Sequence, residues 1–176
     1  MKRLLVPALM LLLFACKHPD TNNSITIGKI DSLHSKTLGE ERKIWVYVPD
    51  GAKDTSRRFP VLYLLDGDAH FSSVVGMIQE LSGVNGNTIC PDMIVVSIPN
   101  TNRTRDLTPT HSLLYPDGTK SNDLKSSGGG EKFTTFMQKE LIPHIDSLYP
   151  VAPYKMLVGH SFGGLTVMNI VVHHPD

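Results

Sequence analysis

The chain lacks an excess of charge of either sign: 17 Lys+Arg stand against 17 Asp+Glu in 176 residues. Binding to nucleic acid requires a basic surplus that displaces counterions from phosphates, so the composition argues against that class of partner. Cysteine is scarce, with two residues, too few to staple a small disulfide scaffold. The opening apolar stretch, Leu4 to Phe14, is interrupted by Pro7. As a helix it would reach ~16 Å, well short of the ~30 Å hydrocarbon core of a bilayer. Sparse net charge combined with 40% apolar residues excludes a disordered chain. No internal repeat is found, and the length suits one domain.

The start of the chain reads as a processing signal. Met1-Lys2-Arg3 is basic, the apolar stretch follows, and Leu13-Phe14-Ala15-Cys16 closes it. A basic segment, a short apolar segment and a small residue before the cut describe a secretory signal. The Cys at the cut resembles a bacterial lipoprotein signal, in which that Cys carries the lipid. Residues 1–15 are therefore expected to be removed, Cys16 to be lipidated, and 16–23 to form a polar tether. The expected location is the bacterial cell envelope, with the membrane as partner through the anchor. The mature chain then has 15 basic and 17 acidic residues, a net charge of −2. Cys90, left alone, is expected to be a buried, inert thiol.

The remainder, 24–176, alternates strand and helix signals. A strand is predicted from Ile25 and a second over Lys43–Val48, stopped by Pro49-Asp50-Gly51, the two pairing as a hairpin or meander. Val61–Leu65 and Met93–Ile98 are continuous apolar runs, as in strands covered on both faces. Between them, apolar residues at 71, 74, 75, 78 and 81 have helical spacing. Residues 99–130 show little periodicity and hold Gly128-Gly129-Gly130, expected to be a flexible loop, since no Gly-Lys-Ser/Thr ending marks a P-loop. A helix from Glu131, bent at Pro143, a short strand Lys155–Val158 and a helix Leu165–Val172 complete the order. This predicts an α/β fold, a mostly parallel sheet with helices on both faces.

Gly159-His160-Ser161-Phe162-Gly163-Gly164 lies between the last strand and the last helix. Gly-x-Ser-x-Gly in that setting is the nucleophile elbow, in which a sharp turn lifts the Ser hydroxyl above the carboxyl end of the sheet. Ser161 is the candidate catalytic nucleophile. The N–H of Phe162, at the start of the helix, is aimed to stabilise a developing oxyanion, a donor worth ~3 kcal/mol. The second donor is expected in the loop Asp66-Gly67-Asp68-Ala69-His70-Phe71.

With the elbow stand other segments in order. These are Arg58-Phe59-Pro60-Val61-Leu62-Tyr63-Leu64-Leu65-Asp66-Gly67, Asn100-Thr101-Asn102-Arg103-Thr104-Arg105-Asp106-Leu107-Thr108-Pro109, and Gly128-Gly129-Gly130 with Glu140-Leu141-Ile142-Pro143. Together they resemble the putative-esterase family of α/β-hydrolases, which includes siderophore, feruloyl and acetylxylan esterases and mycolyltransferases. The resemblance runs from about residue 24 to the end. It implies an ester hydrolase acting on a small-molecule ester through an acyl-enzyme, without cofactor. It implies Ser161 as nucleophile and the N–H groups of Phe162 and Asp68 as the oxyanion hole, with Gly67 as fallback. A non-catalytic binding lipoprotein and an acyltransferase are the other readings of the same segments.

In this fold the acid and the His follow the Ser along the chain. Residues 162–176 are occupied by one helix, and neither Asp176 nor His173-His174 is placed to serve. The sequence is accordingly expected to be an N-terminal portion of a hydrolase, inactive and poorly folded when expressed alone, with the nucleophile strand at an edge of the sheet. His70 and His111 are candidates for lining the pocket, and His160 is expected to point away across the turn. Arg103 and Arg105 are candidates for binding an anionic or catecholate substrate or for a salt link with Asp106. The eight His show no metal-ligand spacing, so no metal is expected.

Overall fold

A computed structural model describes residues 23–54 and 56–175. The signal segment 1–15, Cys16, the tether up to residue 22 and Asp176 lie outside the described residues. β1 (Lys29–Ser35) and β2 (Glu40–Tyr47) form an antiparallel hairpin registered from Lys29↔Val46 to Ser35↔Glu40. The strand expected from Ile25 opens only at Lys29. β2 stops at Tyr47, ahead of Pro49, so Ile25–Ile27 find no further partner along it.

β3 (Phe59–Leu65), α1 (Gly67–Ser82) and β4 (Ile94–Ile98) follow. A one-turn α2 (Arg103–Asp106) begins the segment that lacked periodicity. α3 (Gly130–Phe136) and α4 (Ile142–Leu148) flank a wide π-turn over Met137–Leu141. That turn lies immediately ahead of Pro143, where the sequence predicts a bend. The proline has no N–H to give, and its ring would clash with a carbonyl one turn back; widening the helix just before it relieves both demands. β5 (Val151–Val158) and α5 (Phe162–His173) complete the described fold.

The sheet order is β1-β2-β4-β3-β5. β3 runs parallel to both β4 and β5, while β2 pairs antiparallel with β1 and β4, so the sheet is mixed. The observed architecture is the α/β-hydrolase fold. α1 covers one face, where Phe71, Val75 and Ile78 pack with Leu62, Leu64 and Val95. α3 to α5 cover the other, where Phe133, Phe136, Leu141 and Ile145 pack with Val61, Tyr63 and Val96. The unbroken apolar run of β3 thus reflects burial on both faces. Each such side chain contributes ~1.5–3 kcal/mol on leaving water. Among the described residues β5 is an edge strand, paired on one side by β3. Val158 at its end and Leu165, Met168, Val171 and Val172 of α5 are exposed. Cys90 is half-buried against the α1 face rather than fully buried.

Residues 103–130 are pinned to the sheet by charge and to one another by close glycine packing. Arg42 on β2 is 1% exposed, and its Nη1 donates to Asp106 Oδ2 (2.7 Å) and Glu40 Oε1 (2.9 Å). Arg105 donates to Asp106 Oδ1 (2.7 Å) and bridges Glu40 with both terminal nitrogens. A guanidinium this deep is tolerated because carboxylates and the Phe133 and Phe136 rings surround it. Gly128-Gly129-Gly130 is not a flexible loop. A Cβ at Gly128 would lie 2.6 Å from the His111 nitrogen, and one at Gly129 or Gly130 would meet the backbone of Arg105 or Thr108. The glycines let two backbone segments touch.

Candidate active site

β3, β4 and β5 end together. Leu64 pairs with Val158 and Leu65 with Ile98, so the loops leaving the three strands share one rim of the sheet. The turn after β5 carries Ser161 at φ 57°, ψ −118°, outside the left-handed helical well and strained for any residue with a side chain. Two constraints hold it there. Val158 is fixed in the β3 ladder, and α5 starts at Phe162. Glycine lets strand and helix come this close: a Cβ on Gly159 would lie 2.4 Å from the Gly163 carbonyl carbon. The Ser161 side chain is exposed and makes no capping hydrogen bond to α5, so its hydroxyl remains available at the rim.

The facing loop is as tightly made. Asp66, 5% exposed, takes φ 53°, ψ 44° and turns the chain from β3 directly into α1. A Cβ on Gly67 would lie 2.3 Å from Ser97 Oγ and 2.8 Å from the Ile98 nitrogen, so α1 begins hard against the end of β4. α1 therefore starts at Gly67, one turn ahead of the apolar spacing that announced it at Phe71. Asp68 and Phe162 both fall in the first turn of a helix, where backbone N–H groups have no intrahelical acceptor and the positive end of the helix dipole lies. The two backbone donors expected from the sequence thus stand at neighbouring helix starts on the rim that carries Ser161.

The partners of the side chains joining these loops differ from the sequence expectation, Arg103 engaging Asp66. Arg103 Nε and Nη2 donate to the two oxygens of Asp66 at 2.6 and 2.9 Å. Nη2 also donates to the His160 carbonyl oxygen at 3.3 Å, and the guanidinium lies over the Phe162 ring, 5.1 Å from its centroid. Asn100 Nδ2 donates to Asp66 Oδ1 (2.8 Å) and to Asp68 Oδ1 (3.2 Å). Burial pushes the Asp66 carboxyl up, but the hydrogen bonds from Arg103 and Asn100 outweigh it and hold the group below the usual carboxylate range. The hydrogen bond to Asp66 likewise raises Arg103 above its ordinary value.

The remaining candidates separate. Arg105 is taken up by Glu40 and Asp106, which makes it a structural residue. Arg103 engages Asp66 rather than Asp106 and remains partly exposed. The rings of His70 and His160 meet edge to face, 6.2 Å between centroids. His160 is exposed and sits against the start of α1. His111 lies away in the loop, its Nδ1 against the Ser127 carbonyl oxygen at 3.1 Å. His174 Nε2 meets Glu131 Oε2 at 3.1 Å, at the far end of α5. Among the described residues no group of three or more His, Cys, Asp or Glu is placed to hold a metal ion.

Comparison with known proteins gives the family and the fold. The chain is 27% identical over 170 residues to the ferri-bacillibactin esterase BesA of Bacillus subtilis, covering 89% of this chain and 57% of BesA. It superposes on an IroE-like serine hydrolase from Shewanella oneidensis with a TM-score of 0.78 and 39% identity, covering 82% of this chain and 46% of that one. A BES protein from Bacillus cereus matches with a TM-score of 0.70 and 26% identity, over 90% of this chain and 61% of that one. The chain thus spans about half the length of these relatives. The profile of the family described as Putative esterase matches residues 35–176, from the end of β1 through α5, and the chain belongs to that family.

Proposed function

We propose that the protein is a serine hydrolase of carboxylic esters. Ser161 Oγ gives up its proton and attacks the ester carbonyl carbon, the bond to the alcohol oxygen breaks and the alcohol leaves carrying a proton, and water then cleaves the acyl-enzyme, releasing the carboxylic acid and restoring the hydroxyl. The N–H groups of Phe162 and Asp68 receive the oxyanion. The observation that carries this reading is the strained, exposed Ser161 between β5 and α5, which the packing of Gly159 on Gly163 maintains. The experiment is covalent capture: a fluorophosphonate probe added to the full-length protein is expected to leave one phosphonyl adduct, on the peptide containing Ser161, by mass spectrometry. An unmodified Ser161 under conditions that label a control serine esterase overturns the assignment.

The substrate class proposed is a siderophore ester. Its support is the match to a ferri-bacillibactin esterase and to an IroE-like hydrolase. We further propose attachment to a bacterial envelope through lipid on Cys16, supported by Leu13-Phe14-Ala15-Cys16 behind a basic, apolar start. In cells fed radiolabelled palmitate, the protein is expected to carry label and Cys16→Ser to carry none; equal labelling of the two would remove the anchor.

A further inference from the structure

We propose that Arg103 is a positioning residue: clamped two-pronged on Asp66, it locks the Ser161 turn to the loop that carries the second oxyanion donor. The inference rests on the reading of Ser161 as nucleophile and adds to it what keeps nucleophile and donors in register.

Along the chain the pieces of the rim lie 34 residues apart from Asp66 to Asn100 and 57 from Arg103 to His160, and two of them turn into a helix from a positive-φ residue, Asp66 and Ser161. The His70 and His160 rings touch across the gap, but among the described residues the one side chain that hydrogen-bonds to both sides is Arg103. Arg103 grips the carboxylate of Asp66 with two parallel hydrogen bonds at 2.6 and 2.9 Å. On the other side it donates to the carbonyl oxygen of His160, next to Ser161, and lies flat over Phe162, whose N–H is the first oxyanion donor. Asn100 extends the same network to Asp68, the second donor residue. The platform for Arg103 is itself fixed. Arg42 and Arg105 hold Asp106 in the same short helix, and the Thr166 hydroxyl of α5 donates to the Leu107 carbonyl oxygen at 3.1 Å. The fork geometry matters, because a planar guanidinium sets the distance and the angle between its partners whereas an ammonium sets only a distance. A displacement of ~1 Å between nucleophile and oxyanion donors is enough to cost ~100-fold in rate. Asp66 stays ionised through neutral pH, since its carboxyl lies below the usual range; the lock is therefore present at neutrality and is lost only as pH falls through that depressed value.

The alternative role for a partly exposed guanidinium is recognition of a negatively charged substrate, and the test separates the two. The full-length protein is assayed with p-nitrophenyl acetate, a neutral ester that offers a guanidinium no charge to pair. Two variants are used. Arg103→Lys keeps the charge and loses the fork. Arg103→Gln combined with Asp66→Asn leaves no stranded buried charge, and Asn tolerates the left-handed backbone at 66. Both are expected to lose kcat, by at least ~10-fold in the Lys variant and ~100-fold in the double variant, with KM within ~3-fold of the parent. Parental kcat in Arg103→Lys, or a rise in KM with kcat intact, overturns the positioning role. Ser161→Ala is run alongside. If it turns over the ester like the parent, the nucleophile reading fails; if it is inactive while Arg103→Lys is fully active, only the lock fails.

Discussion

Ser161→Ala in the full-length protein is expected to lower kcat for p-nitrophenyl acetate by ~10⁴-fold or more, since removing an activated nucleophile leaves only what binding and the oxyanion donors supply. KM is a weak reporter here, and the loss should appear in kcat. The same position makes a second, independent demand. At φ 57°, ψ −118° a side chain of any kind is strained. Alanine keeps that strain, whereas glycine, which lacks the Cβ responsible, releases it. Ser161→Gly is therefore expected to be as inactive as Ser161→Ala yet more stable than it by ~1–3 kcal/mol, the usual cost of a residue held in a forbidden region. Thermal or urea melts of the two variants check this. Equal melting points would mean that the turn relaxes in solution and that the hydroxyl is not being presented by strain. Residual turnover within tenfold of the parent in either variant would move the nucleophile elsewhere.

The elements that could be foreseen are those whose sequence signal is local. Val61–Leu65 and Met93–Ile98 are apolar throughout because both faces of the sheet are covered there, and both are strands at nearly those bounds. The helix announced at Phe71–Leu81 is present because its buried stripe, Phe71, Val75 and Ile78, repeats at helical spacing. The elbow was legible for the same reason: strand, glycine-rich turn and helix follow one another within the 23 residues from Val151 to His173. What local reading lost is equally specific. The first turn of α1 has no apolar periodicity, because Gly67 is chosen for contact with Ser97 and Ile98 of another strand. The front half of β5 includes Pro153, a residue that argues against a strand; it is accommodated in the register shift between the Phe59–Val151 and Val61–Lys155 pairs. The triple glycine looked flexible because the backbone it touches, at Arg105, Thr108 and His111, is some twenty residues earlier.

The candidate site divides along the same line. Ser161, Phe162 and Asp68 were found by motif and resemblance, and the fold sets them on one rim. Asp66, Asn100 and Arg103 lie in segments that carry the family resemblance, but nothing in those segments marks the contacts they make with one another. Their meaning arises only when the ends of β3, β4 and β5 are brought side by side, because their partners are tens of residues apart. Arg103 and Arg105 are two residues apart and chemically identical, yet one faces the rim and the other is spent on Glu40 and Asp106. On a single turn of helix that divergence is set by which neighbours pack against it, which composition does not encode.

Gly159→Ala tests whether the close passage of strand and helix is what builds the site. The added carbon would lie 2.4 Å from the Gly163 carbonyl carbon and 2.5 Å from its oxygen. These are backbone atoms, so no rotamer change can clear the clash. Either α5 is pushed away from the turn, or the turn opens and Ser161 drops out of its strained conformation. Overpacking against backbone of this kind costs ~3 kcal/mol. The activity effect is larger than that cost implies, because α5 carries the Phe162 N–H and the turn carries Ser161 Oγ, and a relative shift of ~1 Å costs ~100-fold in kcat. The variant is expected to remain folded below a reduced melting temperature, and to lose ~100-fold or more in kcat at temperatures where far-UV dichroism shows the parental signal. Gly164→Ala is the matched control one helical step away: a Cβ there would have the Gly159 carbonyl oxygen at 3.5 Å, an ordinary contact, and it is expected to cost less than ~1 kcal/mol and to leave kcat within a few-fold of the parent. If Gly159→Ala and Gly164→Ala behave alike, the close approach at the elbow is not what sets the position of Ser161.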